Sequence, residues 1–302
     1  MSRRKRDIEA EARVRGDSME VFSALANDTR LAILFALAEA EQELDGPVSF
    51  SDLYKRVDID DSGRFNYHLK TLTEHIVARS ESGYELRYAG RLIYRAIKAG
   101  FYAGEQTLPP TPVDSTCVMC GANLVARYDD SRLAIECHEC ADLYYLVTLP
   151  PGALVDRTPD EVLRAADQHV RSDITLVSHG VCPYCSGTMT ATRDRVSDSP
   201  TGNVYIHHFC VQCDQRIIST TVGELFLSHP AVVAFFFEHG VNLFDKPCWE
   251  IEFCVTDEFT SVSSDDPLQL TFEYALAGDV IRVSLDDELE TVDVSVTTES
   301  AT

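Results

Sequence analysis

DSGRFNYHLKTLTEHIV, residues 61–77, is the stretch on which the fold turns. Phe65, Leu69, Leu72 and Ile76 recur at steps of three and four, which places them on one face of a helix. Ser62 is read as the N-cap, because its hydroxyl can accept a bond from an otherwise unpaired amide of the first turn. The remaining positions, Ser62, Arg64, Asn66, Tyr67, His68, Lys70 and Thr71, collect hydrogen-bonding and flat side chains in the N-terminal half. Either this is the solvated side of a bundle helix, or it is a face that reads a polar ligand. Spacing alone leaves both readings open.

The flanking segments favour the second. Residues 17–41 read as two helices, the first with Met19, Phe22, Leu25 and Ala26 on one face. The second is capped by Asn27, carries Asp28 in its first turn and shows a stripe of Leu31, Ile33, Leu34 and Leu37. After the polar connection EQELDGP, Val48 to Phe50 is expected to be a short strand, and Ser49 with Asp52 offers a capping-box start for FSDLYKRV. Following the helix, Val77, Arg79 and Ser80 face Tyr84, Leu86 and Tyr88 across the turn ESG, a short hairpin. The order helix, strand, helix, helix, hairpin is that of a winged helix-turn-helix, whose second helix enters the DNA major groove. Arg79, on the hairpin, joins the candidate DNA contacts. The segment AGRLIYRAIKAGFYAG adds a helix with Leu92, Ile93, Ala96, Ile97 and Phe101, suited to packing on a partner subunit.

Two stretches carry a family resemblance: ALANDTRLAILFAL, residues 24–37, and FSDLYKRVDIDDSGRFNYHLKTL, residues 50–72. They resemble the opening signature and the helix-turn-helix of the arsenical-resistance-type (ArsR) repressors, in the form common among regulators of halophilic archaea. The resemblance spans about the first third of the chain. It implies a homodimeric winged-helix protein that binds double-stranded DNA, with residues 62–74 as the reading helix and 80–84 as the wing loop. Metal sensors of that family carry Cys ligands in the helix before the reading helix; SDLYKRV has none, so that sensing chemistry does not carry over. The basic SRRKR near the N-terminus is either an arm that reaches phosphates or a solvated terminus without a role.

A formal charge of −23 argues against DNA binding only if it is evenly spread. Residues 1–104 hold 16 Lys or Arg against 17 Asp or Glu, a net of −1, and residues 105–302 hold 10 against 32, a net of −22. The winged-helix segment is therefore nearly neutral, and an interface needs only a local patch. Scarce Lys and abundant Asp resemble the composition of proteins from salt-accumulating halophiles. No run approaches the ~20 apolar residues of a membrane span, and the N-terminus lacks a secretory apolar stretch, so a cytoplasmic protein with no membrane partner is expected.

The second part is organised by cysteine. CVMC (117–120), CHEC (137–140), CPYC (182–185) and CVQC (210–213) are four CxxC turns. One such turn presents two thiolates to an ion, and a second across a hairpin completes a tetrahedral S4 site. Cys117, Cys120, Cys137 and Cys140 are expected to hold one zinc, and Cys182, Cys185, Cys210 and Cys213 another. A full sphere of four thiolates leaves no position for water or substrate, so the metals are structural. Disulfides do not suit a reducing compartment, iron in the same sites would make an electron carrier, and crossed pairing of the knuckles is a less simple alternative. His138, His207 and His208 lie beside the ligands and are left out of the ligand set.

The expected fold class is α+β. A flexible N-terminus (1–16) precedes a winged helix-turn-helix (17–104), zinc ribbon 1 (112–150), a linking helix (158–178), zinc ribbon 2 (179–222) and a helix-plus-strand C-terminal region (223–298). Leu163, Ala166, Val170 and Ile174 line the linking helix. LVARYDDSRLAIE and TMTATRDRVSDSPTGNVYIHHF each read as strand, turn, strand. Pro230 starts a helix in which Phe235 to Phe237 are core candidates. WEIEFCV is read as one strand that keeps Cys248 and Cys254, six positions apart, from bridging, and a hairpin turns at Ala277-Gly278-Asp279. No phosphate loop, nucleophile elbow or HExxH helix occurs, so no enzyme is expected. The function read from the sequence is a sequence-specific transcription regulator whose acidic zinc-ribbon part contacts a protein or an effector. The alternatives are an interaction adaptor that does not touch DNA and a thiol or iron redox protein.

Overall fold

The computed structural model describes residues 18–102, 107–195, 204–213 and 216–298. The basic SRRKR segment and the turn between the two strands of TMTATRDRVSDSPTGNVYIHHF lie outside those residues. The chain is mixed α and β and divides into two compact units at Gly104 and Glu105. Among the described residues no single helix is long and apolar enough to cross a membrane.

The first unit contains helices α1 (Ser18–Leu25), α2 (Asp28–Leu44), α3 (Phe50–Arg56), α4 (Ser62–Thr73) and α5 (Tyr88–Lys98), and the hairpin β1 (Val77–Arg79) and β2 (Tyr84–Leu86). Asn27 caps α2 through a bond from the Arg30 amide, and Ser49 caps α3 through one from the Asp52 amide. The cap of α4 is Asp61 rather than Ser62: its Oδ1 accepts from Gly63 N at 2.7 Å and Arg64 N at 3.1 Å. An anionic carboxylate at that end satisfies two amides and the helix dipole together, so it wins over the neighbouring hydroxyl.

The expected strand Val48–Phe50 contracts to a single bridge, in which Val48 exchanges both backbone bonds with Tyr84 at 2.8 and 2.9 Å. Phe50 instead opens α3, because Ser49 ends the extended backbone by capping it. The bridge also requires Gly83: a Cβ there would lie 2.4 Å from Val48 O, at a φ of +142°. Ile33, Leu34, Leu37, Leu53, Phe65, Leu69, Leu72 and Ile76 form the core of this unit. Glu41 of α2 ties in the hairpin and α5, accepting from Leu86 N and from Arg91 Nη2. Of the expected inner face of the first helix only Leu25 is buried; Met19, Phe22 and Ala26 are exposed.

The second unit starts with an antiparallel sheet in the order β3 (Leu108–Thr116), β4 (Asn123–Asp129), β5 (Arg132–Cys137), β6 (Leu143–Thr148). Helix α6 (Pro159–Ser178) opens with a complete Thr158–Glu161 capping box and buries Val162, Ala166, Val170 and Ile174, with Leu163 half-buried at the margin. Next come a three-stranded sheet β7 (Met189–Arg195), β8 (Val204–Cys210), β9 (Arg216–Thr221), helix α7 (Pro230–Glu238) with its first-turn proline, and the short α8 (Glu252–Val255). A four-stranded sheet β10 (Thr260–Asp265), β11 (Leu268–Leu276), β12 (Asp279–Leu285), β13 (Thr291–Thr298) completes the unit. Its β11–β12 turn uses Ala277 and Gly278 in left-handed conformations, φ 54° and 90°, the geometry that matches strand twist in two-residue hairpins.

WEIEFCV is not a strand. Cys248–Glu250 forms a 3-10 turn and Glu252–Val255 a helix, which lets Trp249, Ile251, Phe253 and Cys254 all reach the core. A strand would have put Trp249, Ile251 and Phe253 on one face and Cys248 and Cys254 on the other. Phe235 and Phe236 are buried as expected, but Phe237 is 70% exposed. On α6 the buried Asp167 and Arg171 pair at 2.9 Å; Arg171 also donates to the carbonyls of Leu243 and Lys246, and Asp167 accepts from Cys248 N. The pair thus fastens α6 to the irregular segment 243–248.

Candidate metal centres and a candidate nucleic-acid interface

The CxxC turns at 117–120, 137–140 and 182–185 are knuckles built by backbone hydrogen bonds. Cys117 N donates to Ala122 O and Gly121 N to Cys117 O, with Gly121 at φ +73°; Ala141 and Ser186 take the same left-handed role at φ 57° and 58°. Reversal of the chain behind the second cysteine brings both sulfurs to one side. The hairpin β4–β5 then carries the 117/120 knuckle to the 137/140 knuckle, and β7–β8 carries 182/185 to 210/213.

The result is two four-sulfur clusters, paired in sequence order, in each of which all ligand atoms lie within 4.8 Å. In the first, Sγ separations are 3.6 Å (Cys117–Cys140), 3.5 Å (Cys120–Cys137) and 3.7 Å (Cys120–Cys140). In the second they are 3.7 Å (Cys182–Cys213), 3.4 Å (Cys185–Cys210) and 3.6 Å (Cys185–Cys213). A disulfide needs about 2.05 Å. A tetrahedron with zinc–thiolate legs of about 2.3 Å has edges of about 3.8 Å, close to these values. Each cluster is able to hold one metal ion such as zinc.

Hydrogen bonds prepare the sulfurs for that charge. The amides of Glu139 and Cys140 point at Cys137 Sγ, those of Gln212 and Cys213 at Cys210 Sγ, and the Tyr144 hydroxyl donates to Cys117 Sγ at 3.3 Å while accepting from Val118 N. Burial opposes ionisation of Cys117, but Tyr144 and the amides of Cys120 and Met119 bring it down to about 6. The Cys213 and Gln212 amides help to bring Cys210 to about 6. Beside such a thiolate the next sulfur resists ionising: Cys210 and the neighbouring thiols push Cys213 up to about 12. A cation at the centre removes that conflict, because it attracts all four sulfurs.

The residue the sequence reading missed is Tyr144, which nothing in the local pattern distinguishes from Tyr145. His207 and His208 are not ligands; their rings face Ser219 and Thr220. Cys248 and Cys254 lie in the core, away from both clusters, and burial pushes both thiols well above their usual range.

In the first unit, α4 presents Ser62, Arg64, Asn66, Tyr67 and Lys70 to solvent, with Thr71 half-buried and its hydroxyl on Tyr67 O. Arg79 is exposed on β1, its guanidinium 5.7 Å from the Tyr84 ring. His68 is the exception. It is only 8% exposed, its Nδ1 has no partner, and burial, then Arg30 and Arg64, hold it below its usual pKa. With Leu69 and Leu72 as neighbours on the inner face, it belongs to the packing side of the helix and does not face outward with the other candidates.

A family model described as domain of unknown function (DUF7351) matches residues 114–291, and one described as domain of unknown function (DUF7347) matches residues 18–97. The first match takes in both four-cysteine clusters and more than half of the chain, so the chain belongs to that family; the second covers α1 to α5. No curated protein and no solved structure matches the chain.

Proposed function

We propose that this member of the DUF7351 family is a sequence-specific DNA-binding transcription regulator of the ArsR-like type, acting in the cytoplasm as a homodimer. The observation that carries the reading is the exposed face of α4, where Arg64, Asn66, Tyr67 and Lys70 stand together directly before a hairpin that bears Arg79. Arg, Lys and Asn match base edges and phosphates, and a helix on three-helix support with a following hairpin is the arrangement that offers such a face to a major groove. Ser62 and Thr71 add hydroxyls at its margins.

Dimerisation is supported by apolar side chains that the first unit leaves in solvent. Met19 and Phe22 on α1, Tyr88 and Leu92 on α5, and Phe101 and Tyr102 just after it are 47–74% exposed. Large exposed apolar groups of this kind mark interaction surfaces. In the second unit, two filled S4 centres have no open coordination position, which supports a structural role for zinc and a non-enzymatic protein. Its surplus of negative charge suits contact with another protein rather than with DNA.

Genome-wide occupancy of the full chain, compared with an R64A/K70A variant, tests the reading. Loss of specific sites in the variant, with zinc content and helicity unchanged, is the expected outcome. In vitro, each lost phosphate contact should lower the slope of log affinity against log salt by about 1. Unchanged occupancy would leave the adaptor reading in its place.

A further inference from the structure

Among the described residues the buried apolar interior of the second unit falls into two clusters, both packed against Ile218. A main core runs from the β3–β6 sheet through α6 to the β10–β13 sheet, and a small cluster joins Val177 and Met189 to Cys182 and Cys210 of the second four-cysteine centre. Between them lies a cavity of about 470 Å³. Its walls come from four places: the end of α6, strands β7 and β8, the segment leading into α7, and the β12–β13 turn. Val177 and Met189 face it from the small cluster, Phe226 and Leu285 from the main core.

That volume lies in the range of small-molecule sites, about 300–1,000 Å³. The polar groups are unevenly disposed. Glu288 and Glu290 stand exposed on the rim, and no Lys or Arg is among the described lining residues. The rim is held in shape: Asp286 Oδ1 accepts from the amides of Glu288 and Glu290 at 3.0 and 2.9 Å, and Leu289 is locked at φ +65°. His229, also in the wall, bonds Thr291 Oγ1 through Nε2 and keeps a buried Nδ1 without a partner.

We propose that this cavity binds a small amphipathic organic cation, an amine or amidine on an aromatic or branched aliphatic body. The body would lie between Phe226, Leu285 and Met189, where it buries apolar surface on both sides of the gap, and the cationic end would meet Glu288 and Glu290. An anion of the same shape is disfavoured twice, by the rim carboxylates and by the net −22 of residues 105–302. Occupancy joins the second metal-bearing module to the main core, so it stabilises that module against opening. The proposal is independent of whether the first unit reads DNA.

The test is calorimetric titration of the zinc-loaded full chain, without DNA, using tryptamine, phenethylamine and isoamylamine and their carboxylate counterparts indole-3-propionate, 3-phenylpropionate and 4-methylvalerate. At least one amine should bind saturably, at least tenfold more tightly than its carboxylate, and should raise the unfolding temperature. E288Q/E290Q should weaken that amine several-fold. A191W, which adds bulk on the Met189 face of β7 and keeps every charge, should abolish binding; this separates the cavity from general attraction to an acidic surface. Absence of saturable amine binding, equal affinity for amine and carboxylate, or binding that survives A191W would each overturn the proposal.

Discussion

Replacement of one buried ligand should empty one metal centre and leave the other intact. Cys137 is buried and accepts the amides of Glu139 and Cys140, so a serine there removes a thiolate from an enclosed corner of the first cluster. The Sγ–Sγ edges of both clusters, 3.4–3.7 Å, correspond to centre-to-sulfur legs of about 2.1–2.3 Å for a regular tetrahedron, the zinc–thiolate length. The wild-type chain should therefore hold two zinc ions, with four sulfurs at about 2.3 Å in X-ray absorption and no nitrogen or oxygen neighbour. C137S should hold one after dialysis against a chelator, C210S the other one, and C248S both. Structural zinc contributes about 10–16 kcal/mol in zinc-finger peptides, as much as the whole stability of a domain, so each emptied module should lose protease resistance as well. Elemental analysis, absorption spectroscopy and limited proteolysis read these outcomes. Loss of both ions from either single variant, loss of zinc from C248S, a sulfur–sulfur distance near 2.05 Å or a visible iron chromophore would refute the reasoning.

Y144F removes the hydroxyl bonded to Cys117 Sγ and should weaken zinc in the first centre about 10- to 100-fold, read by chelator competition, without effect on the second. D61A deletes the cap of α4 and should cost about 0.5–2 kcal/mol in denaturant unfolding, whereas S62A should be close to neutral. D167A leaves the Arg171 charge buried and unpaired and should cost about 3–5 kcal/mol; the double change D167L/R171M should cost less, because no lone charge remains. Burial raises the Glu224 carboxyl from 4.5 to about 7, so the folded state keeps a proton that the unfolded state has released. Stability should accordingly fall as pH rises from 4.5 to about 7, by up to about 3 kcal/mol from this group, and E224Q should flatten that slope in urea melts taken across the range.

Periodicity and caps were legible because they depend on neighbours a few positions away. The helix over residues 62–73, the caps at Asn27 and Ser49, the first-turn Pro230 and the Ala277-Gly278 turn could all be read from local residue types. Where two local signals competed, as Asp61 and Ser62 did for one helix end, their order depended on charge and geometry that spacing does not reveal. His68 was misplaced for a related reason. It lies three residues after Phe65 and one before Leu69, at the boundary of the apolar face, and only the packing of α4 decides on which side of that boundary it falls. Strand β10 was missed because TSVSSD has one apolar residue and gains its place only by pairing with β11.

By itself, the sequence determined the chemistry of the metal centres. Four CxxC turns at hairpin spacing point to two S4 sites, because the two thiolates of a turn, three positions apart, can meet one ion whatever the rest of the chain does. It also determined the order of the helices and the hairpin in the first unit and the separation of its near-neutral charge from the acidic remainder. Only the tertiary structure decided which polar residues of α4 stay in solvent, that Tyr144 supports Cys117, and that Cys248 and Cys254 sit in a core turn. It alone shows a cavity between the two apolar clusters. These depend on contacts between residues tens of positions apart, where burial is set by how separate elements pack, and no local pattern encodes that.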